Sequence, residues 1–504
     1  MACAYPKDPY PELLHLAQKV KPKLLFCDEH KLNWIPKLET DLGHSVLGIV
    51  MDFKANVQQT LGSHLEHLLN YDHKQSKSRE QIPVACVNVH TQPALILMSS
   101  GTTGKPKAVP ATHWNCMADM VSFGANVTQP VAHVMVTAAA LDYVSGRLLH
   151  LGAIESGYKL VLLEYFEPRK YLEAVQRFRV TSICAGVSSF YNLITHNSID
   201  DYDLSSVRSI LPMGAKVPFL GELKEFLSKH PHIKRIKVGY GTSEFSVAAT
   251  ALYSVEDYLK ISDVCGRLLP GCQVKVIDTS TGQCLDKNQI GLIHLKSQSL
   301  FPGYYDLQEL QRRQQQSAPQ TPFIANDEIF DAEGYYITGD IGYFNDKEEL
   351  CIVGRQKEVM SCRGAKKVMP RELEEIISEH ECVASVCVIG IPKSDEPLVA
   401  CPRAFVVPKS SYYGDISGVS ELSFEETTES SGANRLCKLN PKIRQHLAED
   451  LVTFVNERVG WEKQLTGGVV ILDSIPLLRE TGKMNKGFLR CLTEKEVDIY
   501  ANQS

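Results

Sequence analysis

The sequence predicts an α/β fold, in which a large N-terminal region of layered strands and helices is followed by a smaller α+β unit. Two patterns favour this class: short apolar runs alternate with helical patterns through most of the chain, and the order changes after about residue 354. The chain has 504 residues, more than one hydrophobic core normally organises. We therefore expect two domains, at residues 1–354 and 355–504.

In the N-terminal region, apolar runs of strand length are separated by amphipathic helices. The runs predicted to be buried strands are 93–98, 159–164, 180–186, 207–212 and 233–238. Residues 169–178 and 219–230 carry apolar side chains at the 3.6-residue spacing of helices that cover one side of a sheet. Strands that alternate with helices are typical of a parallel sheet, which we predict here.

Towards the C-terminus the predicted order is strand, helix, strand, strand, helix, strand, at residues 350–353, 371–380, 385–391, 403–407, 443–459 and 468–472. This order indicates a small α+β unit. Within it, residues 410–433 are rich in Ser, Gly, Thr and Glu without any Lys or Arg, so we predict an acidic, mobile loop. For the polar stretch at 308–320, a solvated insertion or a surface helix is favoured over a binding site.

Charge and cysteine content exclude several classes of protein. The 53 Lys and Arg residues are outnumbered by 59 Asp and Glu residues, and a net charge of −6 disfavours a chain that coats nucleic acid or an anionic membrane. A small-molecule partner is expected instead. The 15 cysteines include no CxxC pair, and Cys382 and Cys387 lie in an apolar run of a predicted buried strand. Zinc binding is therefore disfavoured.

The ends of the chain bear on its localisation. The N-terminal residues lack the basic patch and apolar core of a signal peptide, and no later apolar run is long enough to span a bilayer. The final residues do not form the Ser-Lys-Leu peroxisomal signal. We expect a cytoplasmic protein with reduced thiols and no transmembrane segment.

A Gly/Ser/Thr-rich segment directly follows the predicted strand at 93–98. Such a loop offers backbone N–H groups and hydroxyls to phosphate oxygens. It is not a Walker A loop, because only two residues separate Gly101 from Gly104 and Lys105 is followed by Pro106. A switch-type NTPase is thus disfavoured, while a flexible turn stays an alternative for this segment taken alone.

Four further segments contain candidate ligand-binding or catalytic residues. Residues 236–244 form a Gly-rich turn that ends on Glu244, a carboxylate that could hold Mg²⁺. Residues 335–340 end on Asp340, and an acid is the usual partner of ribose hydroxyls. Residues 352–357 lie at the predicted domain boundary, and residues 477–483 place a lone Lys483 on a Gly-containing loop. Each segment alone could be a solvated surface loop, but the five in this order are hard to explain in that way.

In these segments the chain resembles the adenylate-forming superfamily, which includes acyl- and aryl-CoA synthetases, peptide-synthetase adenylation domains and beetle luciferases. The likeness extends from about residue 11 to 488 and is greatest to the insect luciferase-like and 4-coumarate-CoA ligase-like branch. It implies a large N-terminal domain, a small mobile C-terminal domain and an active site in the cleft between them. Residues 11–28 resemble a mid-domain part of the family, so the first elements of the large domain are expected to be absent.

The resemblance also implies roles for individual residues in binding ATP. The residues expected to hold the β- and γ-phosphates are Ser100, Gly101, Thr102, Thr103, Gly104 and Lys107. The residues expected to form the adenine-binding walls are Gly214, Ala215, Gly239, Tyr240 and Gly241. Ser243 would approach the α-phosphate and Glu244 would serve Mg²⁺. Asp340 would bind both ribose hydroxyls, assisted by Arg355.

Three more roles follow from the same resemblance. Lys483 would contact the carboxylate and the α-phosphate during adenylation, Lys357 would be the hinge residue, and Tyr143 would line the acyl pocket. The segment at 361–367 departs from the Lys-rich, Gly-containing segment of the branch and is one residue longer. The geometry for thioester formation is therefore less well defined by the resemblance than that for adenylation.

The predicted function is ATP-dependent activation of a carboxylic acid to acyl-AMP, with pyrophosphate release, followed by acyl transfer to coenzyme A. The acids expected are a medium or long fatty acid, as in fatty acid metabolism, or an aryl-propenoate. One alternative is a catalytically weak nucleotide-binding pseudoenzyme, owing to the shortened N-terminus. A luciferin-type monooxygenase is disfavoured, because residues 140–146 replace the His-rich stretch that lines the acyl pocket in many relatives.

Overall fold

A computed structural model describes residues 10–27, 29–50, 62–64, 87–99, 107–124, 133–141, 143–214, 217, 219–261, 264–306, 323–324, 328–362, 367–392, 399–409, 439, 441–476 and 484–492. The predicted acidic loop at 410–433 and the polar stretch at 308–320 lie outside these residues. Among the described helices, none combines the length and the apolar character needed to cross a membrane.

The first elements form a small unit of their own. They are α1 (Tyr10–Val20), β1 (Leu24–Cys27), α2 (Ile35–Leu42), β2 (Leu47–Val50) and β3 (Gly62–His64). The three strands make a parallel sheet in the order β1-β2-β3. Ala17 of α1, Leu38 of α2 and Val46 are buried together, and this apolar cluster packs the two helices against each other.

A strand hairpin and an alternating strand-helix region follow. The elements are β4 (Pro93–Ser99), β5 (Lys107–Thr112), α3 (His113–Gly124), β6 (Val134–Thr137), α4 (Val144–Ser156), β7 (Lys159–Leu162), α5 (Pro168–Phe178), β8 (Ser182–Gly186), α6 (Val187–Ile194), β9 (Ser209–Met213), α7 (Leu220–Lys229) and β10 (Arg235–Thr242). The five strands and two helices predicted for this region are therefore present.

Helix α5 shows how local sequence sets an element. The Glu167 carboxylate caps its N-terminus by accepting hydrogen bonds from the backbone N–H groups of Arg169 and Lys170, and Pro168 occupies the first turn. Arg179 ends the helix in a left-handed conformation. The apolar stripe of α5, which includes Tyr171 and Val175, is fully buried against the sheet.

The remaining strands of the large sheet come after β10. The next elements are β11 (Ser246–Ser254), α8 (Val255–Tyr258), β12 (Val264–Leu268), β13 (Gln273–Ile277), β14 (Gly291–Lys296), β15 (Tyr304–Tyr305), β16 (Phe323–Ile324), β17 (Tyr336–Phe344) and β18 (Leu350–Arg355). Eleven described strands form one sheet in the order β13-β14-β17-β18-β12-β11-β10-β9-β8-β6-β7.

The sheet is mixed, so the predicted parallel sheet is only partly right. Strands β7, β6, β8, β9 and β10 are parallel, as predicted. From β10 onward the neighbours are antiparallel. The change of direction begins at the short connection between β10 and β11, since a hairpin of a few residues can join only antiparallel strands.

The C-terminal elements form a separate three-stranded sheet with flanking helices. They are β19 (Met360–Ser361), β20 (Lys367–Val368), α9 (Pro370–Ser378), β21 (Val383–Pro392), β22 (Ala400–Pro408), α10 (Pro441–Asn456), β23 (Val469–Ile471) and α11 (Lys486–Cys491). In the order β21-β22-β23, the first pair is antiparallel and the second is parallel. Leu373 of α9 and Leu451 of α10 are fully buried in one core with Val406 of β22.

Two predictions for this part of the chain can be compared with the structure. The strand predicted at 350–353 belongs to the large sheet as β18, between β17 and β12, and is not part of the C-terminal sheet. The α+β character of the C-terminal unit is as predicted, while the domain boundary after residue 354 stays a prediction. Cys382 and Cys387 are buried, and no cluster of metal-ligating side chains occurs in the part of the chain that the structure describes.

Candidate active site

The centre of the candidate site is a carboxylate shared between three strands. Asp340 of β17 is only 3% exposed and lies directly across from Arg355 of β18. The Arg355 Nε atom is 2.7 Å from Asp340 Oδ1, and the Tyr240 hydroxyl of β10 donates a hydrogen bond to Asp340 Oδ2. The backbone N–H of Asp340 donates to Thr338 Oγ1 at 3.0 Å. Three of the residues predicted for the nucleotide site therefore touch one another.

Electrostatics fix the protonation of this cluster. Burial raises the pKa of the Tyr240 phenol well above its usual value, and the adjacent Asp340 raises it further. Burial would lower the pKa of Arg355, but the charge of Asp340 and the proximity of Tyr240 and Glu244 raise it overall. At neutral pH the cluster thus combines a protonated phenol and a permanently charged guanidinium.

The turn between β10 and β11 carries Ser243 and Glu244 at its tip. Gly241 is required here, because a Cβ atom on it would lie 2.0 Å from the backbone O atom of Ser246. Ser246 closes the turn with a φ of 62°, a left-handed conformation that non-glycine residues seldom adopt. The backbone thus presents the two side chains beyond the ends of the paired strands.

Glu244 is held by the segment that follows β14 in sequence. The Tyr304 hydroxyl donates to Glu244 Oε1 at 3.2 Å, and the Phe301 backbone N–H donates to Glu244 O at 2.8 Å. Lys107, at the start of β5, places its Nζ atom 4.5 Å from the centre of the Tyr304 ring. Tyr304 therefore brings the lysine predicted to bind phosphate and the carboxylate predicted to bind Mg²⁺ to the same place.

The candidate phosphate loop begins and ends close to this place. Ser99 and Lys107 face each other at the loop end of the β4–β5 hairpin. Several predicted site residues lie outside the described residues, namely Ser100, Gly101, Thr102, Thr103, Gly104, Ala215 and Lys483. Their predicted roles stay predictions.

The predicted adenine-binding glycines lie at the carboxyl ends of two neighbouring strands, after β9 and within β10. Gly214 follows β9 with a φ of 94°, and Gly239 and Gly241 lie two residues apart on the same face of β10. A Cβ atom on Gly239 would lie 3.2 Å from the Ala249 backbone O atom, so a larger residue would crowd β11. In an α/β sheet this edge, beyond the carboxyl ends of parallel strands, is where ligands bind.

Two further predicted site residues, Tyr143 and Lys357, are among the described residues. Tyr143 precedes α4, and its backbone O atom accepts a hydrogen bond from the Arg147 N–H at 3.1 Å. Lys357 lies in the 3₁₀ turn Gln356–Glu358, directly after Arg355 and β18. Their roles as a pocket residue and a hinge residue stay predictions.

The donor set is compatible with Mg²⁺ bound together with a nucleotide. Mg²⁺ usually keeps only one or two carboxylate ligands and takes its other ligands from phosphates and water. Glu244 supplies one carboxylate at a turn, where the Tyr304 hydroxyl bonds to its Oε1 atom, and a single carboxylate suits this mode and not an all-protein cage. The residues present therefore fit the ion.

Sequence reasoning missed two side chains that complete this arrangement. Tyr304 bonds to Glu244 from 60 positions away, and Tyr336 packs against Phe301 with ring centroids 5.3 Å apart. The sequence signal for Tyr304 was the aromatic pair after Pro302 and Gly303, while Tyr336 lies in the segment 335–340 already singled out for Asp340. Such a pair occurs in many loops, so contact with Glu244 could not be predicted.

Comparison with known proteins decides the family. The sequence profile of the AMP-binding enzyme family matches residues 1–305, more than half of the chain. The chain belongs to the AMP-binding enzyme family. Its mixed α/β fold is that of adenylate-forming enzymes, which confirms the predicted fold class and the predicted family.

Individual relatives are consistent with this family assignment. The chain is 27% identical over 493 residues to luciferin 4-monooxygenase of Photuris pensylvanica, covering 96% of this chain and 79% of the relative. It is 28% identical over 424 residues to a probable 4-coumarate-CoA ligase of Dictyostelium discoideum, covering 83% of this chain and 66% of the relative. Among solved structures, ATP-bound MatB from Rhodopseudomonas palustris superimposes with a TM-score of 0.73 at 20% identity, covering 96% of this chain and 82% of that chain.

Proposed function

We propose that this AMP-binding enzyme activates a carboxylic acid as acyl-AMP and transfers the acyl group to coenzyme A. The observation that carries the proposal is the buried Asp340 carboxylate, which is held by Arg355 and Tyr240 beside the Glu244 turn. A carboxylate is an acceptor only, and its two oxygens can accept hydrogen bonds from the hydroxyls of a ribose.

The first step joins two anions. A carboxylate oxygen of the acid attacks the α-phosphorus of ATP, the bond from that phosphorus to the bridging oxygen of the β-phosphate breaks, and pyrophosphate leaves. Cations must lower the repulsion while charge builds on the phosphoryl oxygens. In our proposal Lys107 and Lys483 supply this charge, Glu244 would hold a Mg²⁺ ion that would add to it, and the Ser243 hydroxyl approaches the α-phosphate.

In the second step the thiol sulfur of coenzyme A attacks the acyl carbonyl carbon, AMP leaves and the thiol proton passes to solvent. This step needs other groups at the carbonyl than the first step does. We propose that the C-terminal domain moves about Lys357 to exchange them, and that Lys483 then leaves the site. Relatives named as 4-coumarate-CoA ligases support the choice of coenzyme A as the acceptor.

Adenylation is tested by acid-dependent exchange of labelled pyrophosphate into ATP, with a panel of fatty acids and aryl-propenoates. We expect exchange with at least one acid, and formation of its thioester when coenzyme A is added. ATP binding without exchange for any acid would favour the nucleotide-binding pseudoenzyme instead. Because the Photuris relative is named a luciferin 4-monooxygenase, oxygen-dependent light emission from an acyl-AMP is a second measurement to make. Light emission without formation of a thioester would favour the monooxygenase.

A further inference from the structure

Tyr304 touches two charged groups that the proposed function assigns to the phosphates and to Mg²⁺. Its hydroxyl donates to Glu244 Oε1 at 3.2 Å, and its ring centre lies 4.5 Å from Lys107 Nζ. Strand β15, which begins with Tyr304, packs against β5, which begins with Lys107. One side chain therefore contacts a carboxylate through its hydroxyl and an ammonium group through its ring.

The Tyr304 ring packs against other aromatic side chains. Phe301 is buried, and its ring centre lies 5.0 Å from that of Tyr304 in an edge-to-face arrangement. Phe301 packs in the same way against Tyr336, at 5.3 Å. The backbone N–H of Phe301 also donates to Glu244 O. The segment 301–304 thus contacts Glu244 both through its backbone and through the Tyr304 hydroxyl.

The same aromatic cluster extends to the buried carboxylate of the candidate site. Between ring centres, Tyr336 lies 6.2 Å from Phe245, and Phe245 lies 5.2 Å from Tyr240. The Tyr240 hydroxyl donates to Asp340. Tyr304 packs against this buried cluster. Because close-packed side chains have little freedom to move, Tyr304 has a fixed place relative to Asp340.

The two polar contacts of Tyr304 are not explained by stability alone. Lys107 is exposed, and Glu244 is only partly buried, so neither charge depends on Tyr304 to avoid an unsatisfied buried group. Contacts of this kind at exposed places contribute little to stability. An exposed lysine has many rotamers, however, and restricting them costs free energy when a ligand binds. A ring that already holds the ammonium group lowers this cost.

We propose that Tyr304 is a positioning residue with two separate tasks: its hydroxyl orients Glu244 for Mg²⁺, and its ring holds Lys107 for the phosphates of ATP. This inference rests on the proposed function, because that function assigns Mg²⁺ to Glu244 and the phosphates to Lys107. It adds that the two tasks can be removed one at a time.

The first test is Tyr304→Phe in the full chain, which removes the hydroxyl and keeps the ring. ATP binding is measured by calorimetry at several Mg²⁺ concentrations. We expect the Mg²⁺ concentration for half-maximal binding to rise about five- to tenfold, since Glu244 loses a charge-assisted hydrogen bond. Binding of tripolyphosphate without Mg²⁺ should stay at the wild-type level, because the ring still contacts Lys107. An unchanged Mg²⁺ dependence would overturn the inference.

The second test is Tyr304→Leu, which removes the hydroxyl and the ring. The Mg²⁺ dependence should shift as in Tyr304→Phe, and the affinity for tripolyphosphate without Mg²⁺ should fall about two- to fivefold, as expected for loss of an exposed cation–π contact. This difference between the two variants should vanish in a Lys107→Ala background. Equal tripolyphosphate affinities of the two single variants, or a difference that persists without Lys107, would overturn the inference.

The matched control is Tyr305, which follows Tyr304 in β15 and is also partly buried. Successive side chains of a strand point to opposite faces, so Tyr305 should not share the contacts of Tyr304. Tyr305→Phe and Tyr305→Leu should leave both affinities unchanged. Shifts equal to those of the Tyr304 variants would overturn the inference, because a general loss of packing would then explain them.

Thermal unfolding checks that each variant is folded, and Tyr304→Phe tests the hydroxyl even where Tyr304→Leu does not fold. All of these readouts are binding measurements that need no turnover. A wild-type protein that binds ATP with Mg²⁺ but shows no acid-dependent exchange would contradict the proposed reaction and leave the comparisons of Tyr304 variants intact. A failure of the proposed function can therefore be told apart from a failure of this inference.

Discussion

At the residue scale, the candidate site depends on side chains that are already held by the protein before a ligand arrives. Asp340 bonds to Arg355 and Tyr240, and Glu244 bonds to Tyr304. Groups fixed in this way need little reorganisation when charge changes during a reaction. Carboxylates that contribute only to the stability of the fold are held by hydrogen bonds and ion pairs in the same way.

Asp331 is such a carboxylate. Its Oδ2 atom lies 2.8 Å from His294 Nδ1 and 2.9 Å from Lys275 Nζ. Burial alone would raise the pKa of Asp331, but these hydrogen bonds and those from the backbone N–H groups of Tyr335 and Glu333 hold it well below its usual range. The turn that leads into β17, and hence to Asp340, is fixed by this network.

Asp331→Asn should therefore destabilise the protein in a pH-dependent way. A carboxyl with a lowered folded pKa stabilises above its unfolded pKa of about 3.9, and this contribution is lost as the pH falls towards the folded pKa. We expect the free energy of unfolding at pH 7 to fall by about 2 kcal/mol. Denaturant titrations at several pH values should show the difference from wild type shrinking below about pH 4, with the exposed Asp201→Asn as control. A pH-independent difference would exclude this electrostatic origin.

At the scale of elements, the β10–β11 hairpin is the part of the site that the sequence predicted best. A Gly-rich run after an apolar strand indicated a turn ending on Glu244. The structure has a turn at Glu244, but Gly239 and Gly241 belong to strand β10 and not to the turn. The sequence could not indicate that Ser246 adopts a positive φ, because serine is not a residue type that favours it. Nor could it pair Asp119 with Arg147 across 28 positions on two different helices.

Gly241→Ala should disrupt this hairpin. The new Cβ atom would meet the Ser246 backbone 2.0 Å away, so one strand must move. We expect a loss of stability of about 1–3 kcal/mol and at least a tenfold loss of pyrophosphate exchange. The control is Gly221→Ala in α7, where no atom lies within 4 Å of the new Cβ and helix propensity should add up to about 1 kcal/mol. Wild-type exchange in Gly241→Ala would contradict this account of the turn.

At the scale of the whole molecule, the order of strands and helices could be predicted because each strand from β7 to β10 has its own apolar pattern and is covered by helices. The extension of the sheet could not be predicted, since antiparallel pairing depends on turns and on contacts between strands far apart in sequence. This extension comprises β11, β12, β18, β17, β14 and β13. The assembly of the candidate site also depends on contacts between strands that are far apart in sequence. Tyr240 and Asp340 are 100 positions apart and meet only because β10 and β17 belong to one sheet.

The central claim is that this sheet places Asp340 at the ribose of a bound nucleotide. The measurement that tests it most directly is the affinity of Asp340→Ala for ATP and for tripolyphosphate, which has no ribose, by calorimetry. Two charge-assisted bonds of about 1.5–3 kcal/mol each predict that ATP binding weakens more than tenfold. Binding of tripolyphosphate should stay at the wild-type level, which also shows that the variant is folded. A folded variant that binds both ligands as the wild type does would contradict the account.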